Sequence, residues 1–136
     1  MSALLLDTCA VIWIANGERI SNESRQAVEF AAVAGRVFVS PISAWEIAIL
    51  VRKGRVTLSM APETWFEAML ALPGMKLATM PPRTLIASAF LPGTPPSDPA
   101  DRIILATARA DNLILVTRDR TLMSYAEAGH VRALEC

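Results

Sequence analysis

Short runs of branched apolar residues recur along this chain, and each gives way to a polar or turn-forming residue and then to a helix-period pattern. Ala3 to Leu6 predicts a short buried strand, with a short helix or turn from Thr8 to Ala15 broken by Asn16-Gly17. Ser21 or Asn22 can cap the next helix, which runs through Val28, Phe30, Ala31 and Ala34 to a stop at Gly35. Arg36 to Val39 is a second strand. Either Ser40-Pro41 or Ser43 then opens a helix through Trp45, Ile47, Ile49, Leu50 and Val51 that closes at Gly54.

Ala61 to Leu72 carries an apolar helical face of Trp65, Phe66, Met69 and Leu70, and Pro73-Gly74 ends it. Met75 to Met80 is a third strand and Pro82 to Phe90 a short helix. Leu91 to Pro99 holds four prolines and a glycine and reads as a loop. A helix from Asp98 to Ala110 leads through a turn at Asp111-Asn112 into Leu113 to Thr117, the clearest strand of the chain. Thr121 to Ala128, closed by Gly129, is the last helix, and Val131 to Leu134 the last strand. Strands alternating with helices predict an α/β fold, with a mainly parallel central sheet flanked by helices.

Composition narrows this to one domain, because 136 residues divided between two cores would leave each unusually small. The chain is 53% apolar and 19% charged, against about 25% charged in an average soluble domain. Either a large core or a surface hidden in a dimer or partner complex accounts for that excess. With 13 basic and 13 acidic residues the formal charge is zero, so any polyanion must be met by a local cluster. Arg52-Lys53-Gly54-Arg55 and the pair Arg118 and Arg120 are such clusters, and each also reads as a solvated face. Cys9 and Cys136 have neither metal-ligand spacing nor a disulfide pattern, so reduced thiols and a cytoplasmic location are expected. No basic segment precedes a long apolar stretch, and no run nears about 18 apolar residues, so neither secretion nor a membrane span is expected.

The candidate chemistry lies in the acids. Asp7 follows the first strand, Glu46 lies just beyond the second, Asp101 opens the Asp98 helix, and Asp119 follows the strand ending at Thr117. In an open parallel sheet, ligands gather outside the carboxyl ends of the strands, so these acids should converge. Like charges a few Å apart need protons or a cation to neutralise them, and an all-oxygen set suits Mg²⁺ or Mn²⁺. The pattern points to a metal-dependent enzyme acting on phosphate esters.

Each acid has a second reading. Asp7 can be an N-cap or an Asx-turn residue. Ser43-Ala44-Trp45-Glu46 has capping-box spacing, which would tie Glu46 back to the Ser43 amide; a cap at Ser40 would instead leave Glu46 free in the second turn. Asp98 reads mainly as a cap before Pro99, with Asp101 turned towards the metal. Asp119 can be a turn residue. Thr117 can offer its hydroxyl to the same site or be a buried strand threonine. Arg102 can pair with Asp98. His130, at a helix end, reads as a neutral surface residue, and Trp13, Trp45 and Trp65 as core or interface residues.

With these residues in view, the whole chain resembles the PIN-domain ribonucleases, and among them the VapC toxins of bacterial toxin–antitoxin pairs. Leu4-Leu5-Leu6-Asp7-Thr8-Cys9-Ala10, Ser43-Ala44-Trp45-Glu46-Ile47, Asp98-Pro99-Ala100-Asp101-Arg102 and Leu115-Val116-Thr117-Arg118-Asp119 are similar to the family's acidic motifs, in order. One departure is the sequence Pro96-Ser97 before Asp98 and Ala100 after it, where many relatives have His or Arg and Phe. The resemblance implies that Asp7, Glu46, Asp101 and Asp119 hold one or two Mg²⁺ or Mn²⁺ ions, with Asp98 and Thr117 as secondary candidates. It implies hydrolysis of RNA by a metal-activated water, with Arg102, Arg118 and Arg120 as phosphate contacts. It further implies a homodimer and a cognate antitoxin laid across the site.

Other classes fit less well. A phosphoacceptor receiver domain would want paired acids after the first strand and a lysine after the last, and no lysine follows Lys76. No glycine-rich phosphate loop follows a strand, which argues against a nucleotide-cofactor module. An RNA-processing PIN nuclease outside toxin systems and a catalytically silent RNA- or protein-binding module stay open as alternatives.

Overall fold

In the computed structural model, which describes residues 2–136, the chain folds as twelve elements. They are β1 (Leu4–Leu6), α1 (Thr8–Ala15), α2 (Asn22–Val33), β2 (Val37–Val39), α3 (Pro41–Arg52), α4 (Pro62–Leu70), β3 (Met75–Leu77), α5 (Pro82–Ala89), α6 (Pro99–Ala110), β4 (Ile114–Thr117), α7 (Arg120–Glu127) and β5 (Ala133–Glu135). The strands form one sheet in the order β3-β2-β1-β4-β5, every neighbouring pair parallel. The sheet is therefore wholly parallel. Most predicted boundaries move by a residue or two, and β3 ends at Leu77, three residues short of the expected Met80.

The strand order makes the functional argument. From β1 the chain winds outwards through β2 to β3, then crosses back to β4 on the other flank of β1. The order reverses between β1 and β4, and loops leaving their carboxyl ends part to opposite sides and open a crevice. Asp7 follows β1 directly, and Arg118 and Asp119 follow β4.

Helices cover both sheet faces, so the central strands β1, β2 and β4 read as apolar runs, whereas the edge strands β3 and β5 carry exposed Lys76 and Glu135. Leu4, Leu6, Val37, Val39 and Val116 face a layer that includes Val11, Ile47, Trp65 and Met69. Leu5 and Leu115 face the opposite layer of Ile104, Leu105, Leu122 and Tyr125. Burying each such large side chain stabilises the fold by about 1.5–3 kcal/mol. Phe30, on α2, turns outward instead, at 65% exposure. At the end of α2, a Cβ on Gly74 would lie 2.2 Å from the Ala32 carbonyl oxygen, so only glycine lets β3 start this close to the helix.

Capping settles two of the open alternatives. Ser21 caps α2, accepting Ser24 N–H at 3.1 Å. Ser40 caps α3 with Pro41 at its first position, accepting Ile42 N–H at 3.2 Å. The capping box at Ser43 does not form, and Glu46 falls in the second turn.

Candidate functional site

Asp7 closes β1 and caps α1. Its Oδ1 accepts Ala10 N–H at 2.8 Å, and its Oδ2 accepts the Thr117 hydroxyl from the neighbouring strand. The Thr117 hydroxyl in turn accepts Asp119 N–H at 3.0 Å. Asp119 caps α7, where one oxygen, Oδ1, accepts both Thr121 N–H at 2.8 Å and Leu122 N–H at 3.0 Å. The capping reading was thus right for Asp7, and Asp119, read as a turn residue, proves to be a helix cap as well. It leaves room for a second role, because Oδ2 of Asp119 carries none of these bonds.

The third and fourth contributions come from helices on one side of that pair. Asp98 caps α6, its Oδ2 accepting Asp101 N–H at 2.9 Å. One carboxylate oxygen from each of Glu46, Asp98 and Asp101 lies within 4.8 Å of the others. Asp98, expected mainly as a cap, therefore also stands in this cluster. Asp7 and Asp119 lie outside that tight trio yet within electrostatic reach of Asp101.

Crowding and burial act on the protons. Asp7 is 5% exposed. Desolvation raises its carboxyl above the ordinary range, and the bonds from Thr117 and Ala10 offset part of the rise. Glu46 is raised chiefly by desolvation, opposed by a hydrogen bond from Thr8 and reinforced by Asp98 and Asp7. Asp101 is pushed up to about 7, first by desolvation and then by Asp98, Glu46, Asp119 and Asp7. A group of acids that resist joint ionisation in this way is suited to exchanging protons for a cation.

The arginines divide. Arg102 does not pair with Asp98; its guanidinium donates to the carbonyls of Ser88 at 2.9 Å, Pro96 at 3.0 Å and Ala89 at 3.2 Å, bracing the loop before α6. Arg118 lies 3.7 Å over the Trp13 ring and donates to the Cys136 carbonyl at 3.0 Å. Arg120 makes only loose pairs with Glu127 and Glu135, both at 3.8 Å, and its side chain is 72% exposed. Of the tryptophans, Trp65 is in the core, whereas Trp45 is exposed. His130 packs against Tyr125 with ring centroids 4.7 Å apart and lies against Gly93, so it serves packing more than a bare surface.

Two hydroxyls in this region had no role from sequence. Thr8 donates to Glu46 Oε1, and its oxygen lies 3.0 Å from Ser43 Oγ. Ser43 is fully buried on α3. The available signal was a polar residue at an inward helical position, and for Ser43 a capping reading competed with it.

Acids from four separate motifs, gathered at the carboxyl end of a parallel sheet beside its switch point, define a class, and sequence comparison supplies it: the chain belongs to the PIN domain family, whose profile matches residues 4–128. It is similar to Ribonuclease VapC22 of Mycobacterium tuberculosis (strain ATCC 25618 / H37Rv), with 33% identity over 126 residues covering 92% of this chain and 93% of that one. Among solved structures, a chain of VapBC2 from Rickettsia felis bound to a promoter DNA fragment superposes with a TM-score of 0.70 at 15% identity, covering 98% of each chain. A chain of DNA-bound VapBC from Salmonella typhimurium gives 0.66 at 20% identity, covering 99% of this chain and 98% of that one. At such identities the superpositions speak to the fold. No helix among the described residues is long and apolar enough to cross a membrane.

Proposed function

We propose that this protein is a metal-dependent endoribonuclease of the VapC type, the toxin half of a toxin–antitoxin pair. The observation that carries the reading is the set of carboxylate oxygens from Glu46, Asp98 and Asp101 within 4.8 Å of one another, beside Asp7 and Asp119 at the sheet's switch point. The residues fit a hard divalent cation. Every donor is a carboxylate oxygen, and Asp101 is pushed to about 7 first by burial and then by the repulsion of its acidic neighbours, which a cation relieves. Asp7, Glu46, Asp101 and Asp119 would hold Mg²⁺ or Mn²⁺, with Asp98 as a secondary candidate beside them. When bound, such an ion supplies Lewis acidity at a phosphodiester and makes water a nucleophile near neutral pH.

The chain's own groups do the rest. The bonds from Ala10 and Thr117 fix the orientation of Asp7, so its carboxylate need not reorganise when charge develops. Arg120, loosely paired beside Asp119, is the candidate that can swing onto an RNA phosphate. Arg102 and Arg118 shape the rim: one braces the loop before Asp98, the other ties α1 to the final strand. A homodimer, a cognate antitoxin covering the crevice and a cytoplasmic setting complete the proposal, supported by the similarity to VapC22 and the superposition on VapBC chains.

The test is cleavage of a tRNA and mRNA panel by antitoxin-free protein with Mg²⁺, Mn²⁺ or EDTA, alongside Asp7→Asn. Asn retains the cap and removes the charge. Cuts that need the metal and fall by at least about 100-fold in the variant are expected. Cleavage equal in EDTA and in Asp7→Asn would refute the mechanism. Folded, metal-binding protein that cuts nothing would favour a binding role for the same fold.

A further inference from the structure

The two threonines beside Asp7 are wired alike. Thr117, at the end of β4, donates to Asp7 and accepts the Asp119 N–H. Thr8, next in sequence after Asp7, donates to Glu46 Oε1 and lies 3.0 Å from Ser43 Oγ. A hydroxyl carries a single proton. With the Thr8 proton committed to the carboxylate, the Ser43 proton must point at Thr8 Oγ1. The result is a directed chain from Ser43 to Thr8 to Glu46.

All of this chain but its last member is out of water: Ser43 is fully buried and Thr8 nearly so. Its two ends, Ser43 and Glu46, lie on α3, and its middle member, Thr8, lies on α1 at the mouth of β1. Glu46 has one more rotatable bond than the aspartates, and Ser40 caps its helix. Among the described residues, no backbone amide ties Glu46 in the way that Ala10, Asp101 and Thr121 tie Asp7, Asp98 and Asp119. Asp7, Asp98 and Asp119 are thus set by helix caps, and Glu46 by hydroxyls. Thr8 holds Glu46 Oε1 and so fixes the rotation of the carboxylate that stands in the cluster with Asp98 and Asp101.

We propose that Ser43 and Thr8 form a positioning relay that fixes the Glu46 carboxylate for a divalent cation and so sets the cation affinity of the site. This rests on the reading that the site holds such a cation. Groups that orient a ligand without touching the metal typically change affinity by about 10–100-fold when removed. Thr8→Val keeps shape and burial while deleting the donor. Ser43→Ala removes only the bond that orders Thr8, so its effect is smaller.

The measurement is Mn²⁺ affinity by electron paramagnetic resonance of free ion, with melting temperature recorded on the same samples. Thr8→Val is expected to weaken binding about 10-fold, Thr8→Ser to restore most of it, and Ser43→Ala to fall between. The double variant should bind no more weakly than Thr8→Val alone, because the two act in series. At saturating Mn²⁺, Thr8→Val should regain the wild-type kcat for RNA cleavage, which a packing defect would not allow. Should Thr8→Val melt early, Ser43→Ala and Thr8→Ser carry the same comparison. Wild-type affinity in both Thr8→Val and Ser43→Ala, with wild-type protein that binds Mn²⁺ and cuts RNA, would overturn the relay and leave the nuclease standing. Wild-type protein that holds no Mn²⁺ would overturn both.

Discussion

The acidic crevice has two halves built by different means. In the half at β1 and β4, Asp7 and Asp119 are fixed by the backbone: each caps a helix that starts where a strand ends, and Thr117 links them. In the half at α3 and α6, the acids sit on helices that face each other, and their approach depends on how those helices pack. The first half is part of the fold's own hydrogen bonding. The second is an accumulation of like charge, with Asp101 pushed up to about 7 by burial and by its acidic neighbours. The first pair holds the fold together; in the second half Asp98 still caps α6, while burial and crowding at Asp101 and Glu46 oppose folding until a cation arrives.

Removing one acid from each half separates these roles most strongly. Asp7→Ala leaves the Ala10 N–H and the Thr117 hydroxyl without their acceptor in a buried place, and should cost about 1–3 kcal/mol. Asp101→Ala removes no cap, since the Asp101 amide still donates to Asp98. It also lifts repulsion from Glu46, so stability should hold or rise. Both should abolish metal-dependent cleavage. Urea unfolding in EDTA decides it: equal losses in the two variants would erase the distinction between the halves.

A pH series sharpens the same contrast with a smaller effect. Asp101 rises from an ordinary 3.8 to about 7, and Glu46 and Asp7 rise as well. A carboxyl with a raised pKa holds its proton longer in the folded state than in the unfolded one. Between about pH 4 and 7 the folded protein therefore binds more protons, and metal-free stability falls as pH rises through that window. The ion needs the same carboxylates deprotonated, so its affinity should climb through the window. Melting temperature with EDTA should drop from pH 5 to 8, and the rise on adding Mn²⁺ should be larger at pH 8. A flat profile in both series would mean that Asp101 ionises freely and that the cluster is looser than its geometry indicates.

The sequence announced one half better than the other. Leu4-Leu5-Leu6 and Leu113 to Thr117 are unbroken apolar runs, so their ends, and the acids at those ends, could be placed without coordinates. Ser40-Pro41 and Ser43 offered rival starts for α3, and the choice decided whether Glu46 was tied back to a cap or free in the second turn. Local patterning could not make it; the packing of Ile47 into the core does, by fixing the helix's rotation. Asp98 was legible as a cap, but its nearness to Glu46 depends on the packing of α3 on α6, which no spacing encodes. The Arg102 partners were misread for the same reason, since three backbone carbonyls form its socket and carbonyls leave no mark in a sequence.

The mildest test uses a residue that belongs to neither half. Cys9 stands exposed on α1, two positions after Asp7, and its thiol is pushed up to about 11 by desolvation and then by Asp7, Glu46, Asp119 and Asp101. That list draws on both halves, so the thiol senses their combined field. Only the thiolate reacts with alkylating reagents, and at neutral pH this field suppresses it. A cation among the carboxylates cancels part of the field, which lowers the Cys9 pKa and speeds alkylation. Cys136 is buried and, of these acids, feels Asp7, so its labelling should change less. Iodoacetamide labelling followed by mass spectrometry should therefore show Cys9 modified several-fold faster with Mg²⁺ than with EDTA, on the order of one pKa unit of relief. Asp101→Asn should reproduce part of that gain without metal, and Asp119→Asn should do the same. If only Asp101→Asn did so, the field at Cys9 would come from the helix-borne half, and the two halves would be electrostatically separate as well as differently built.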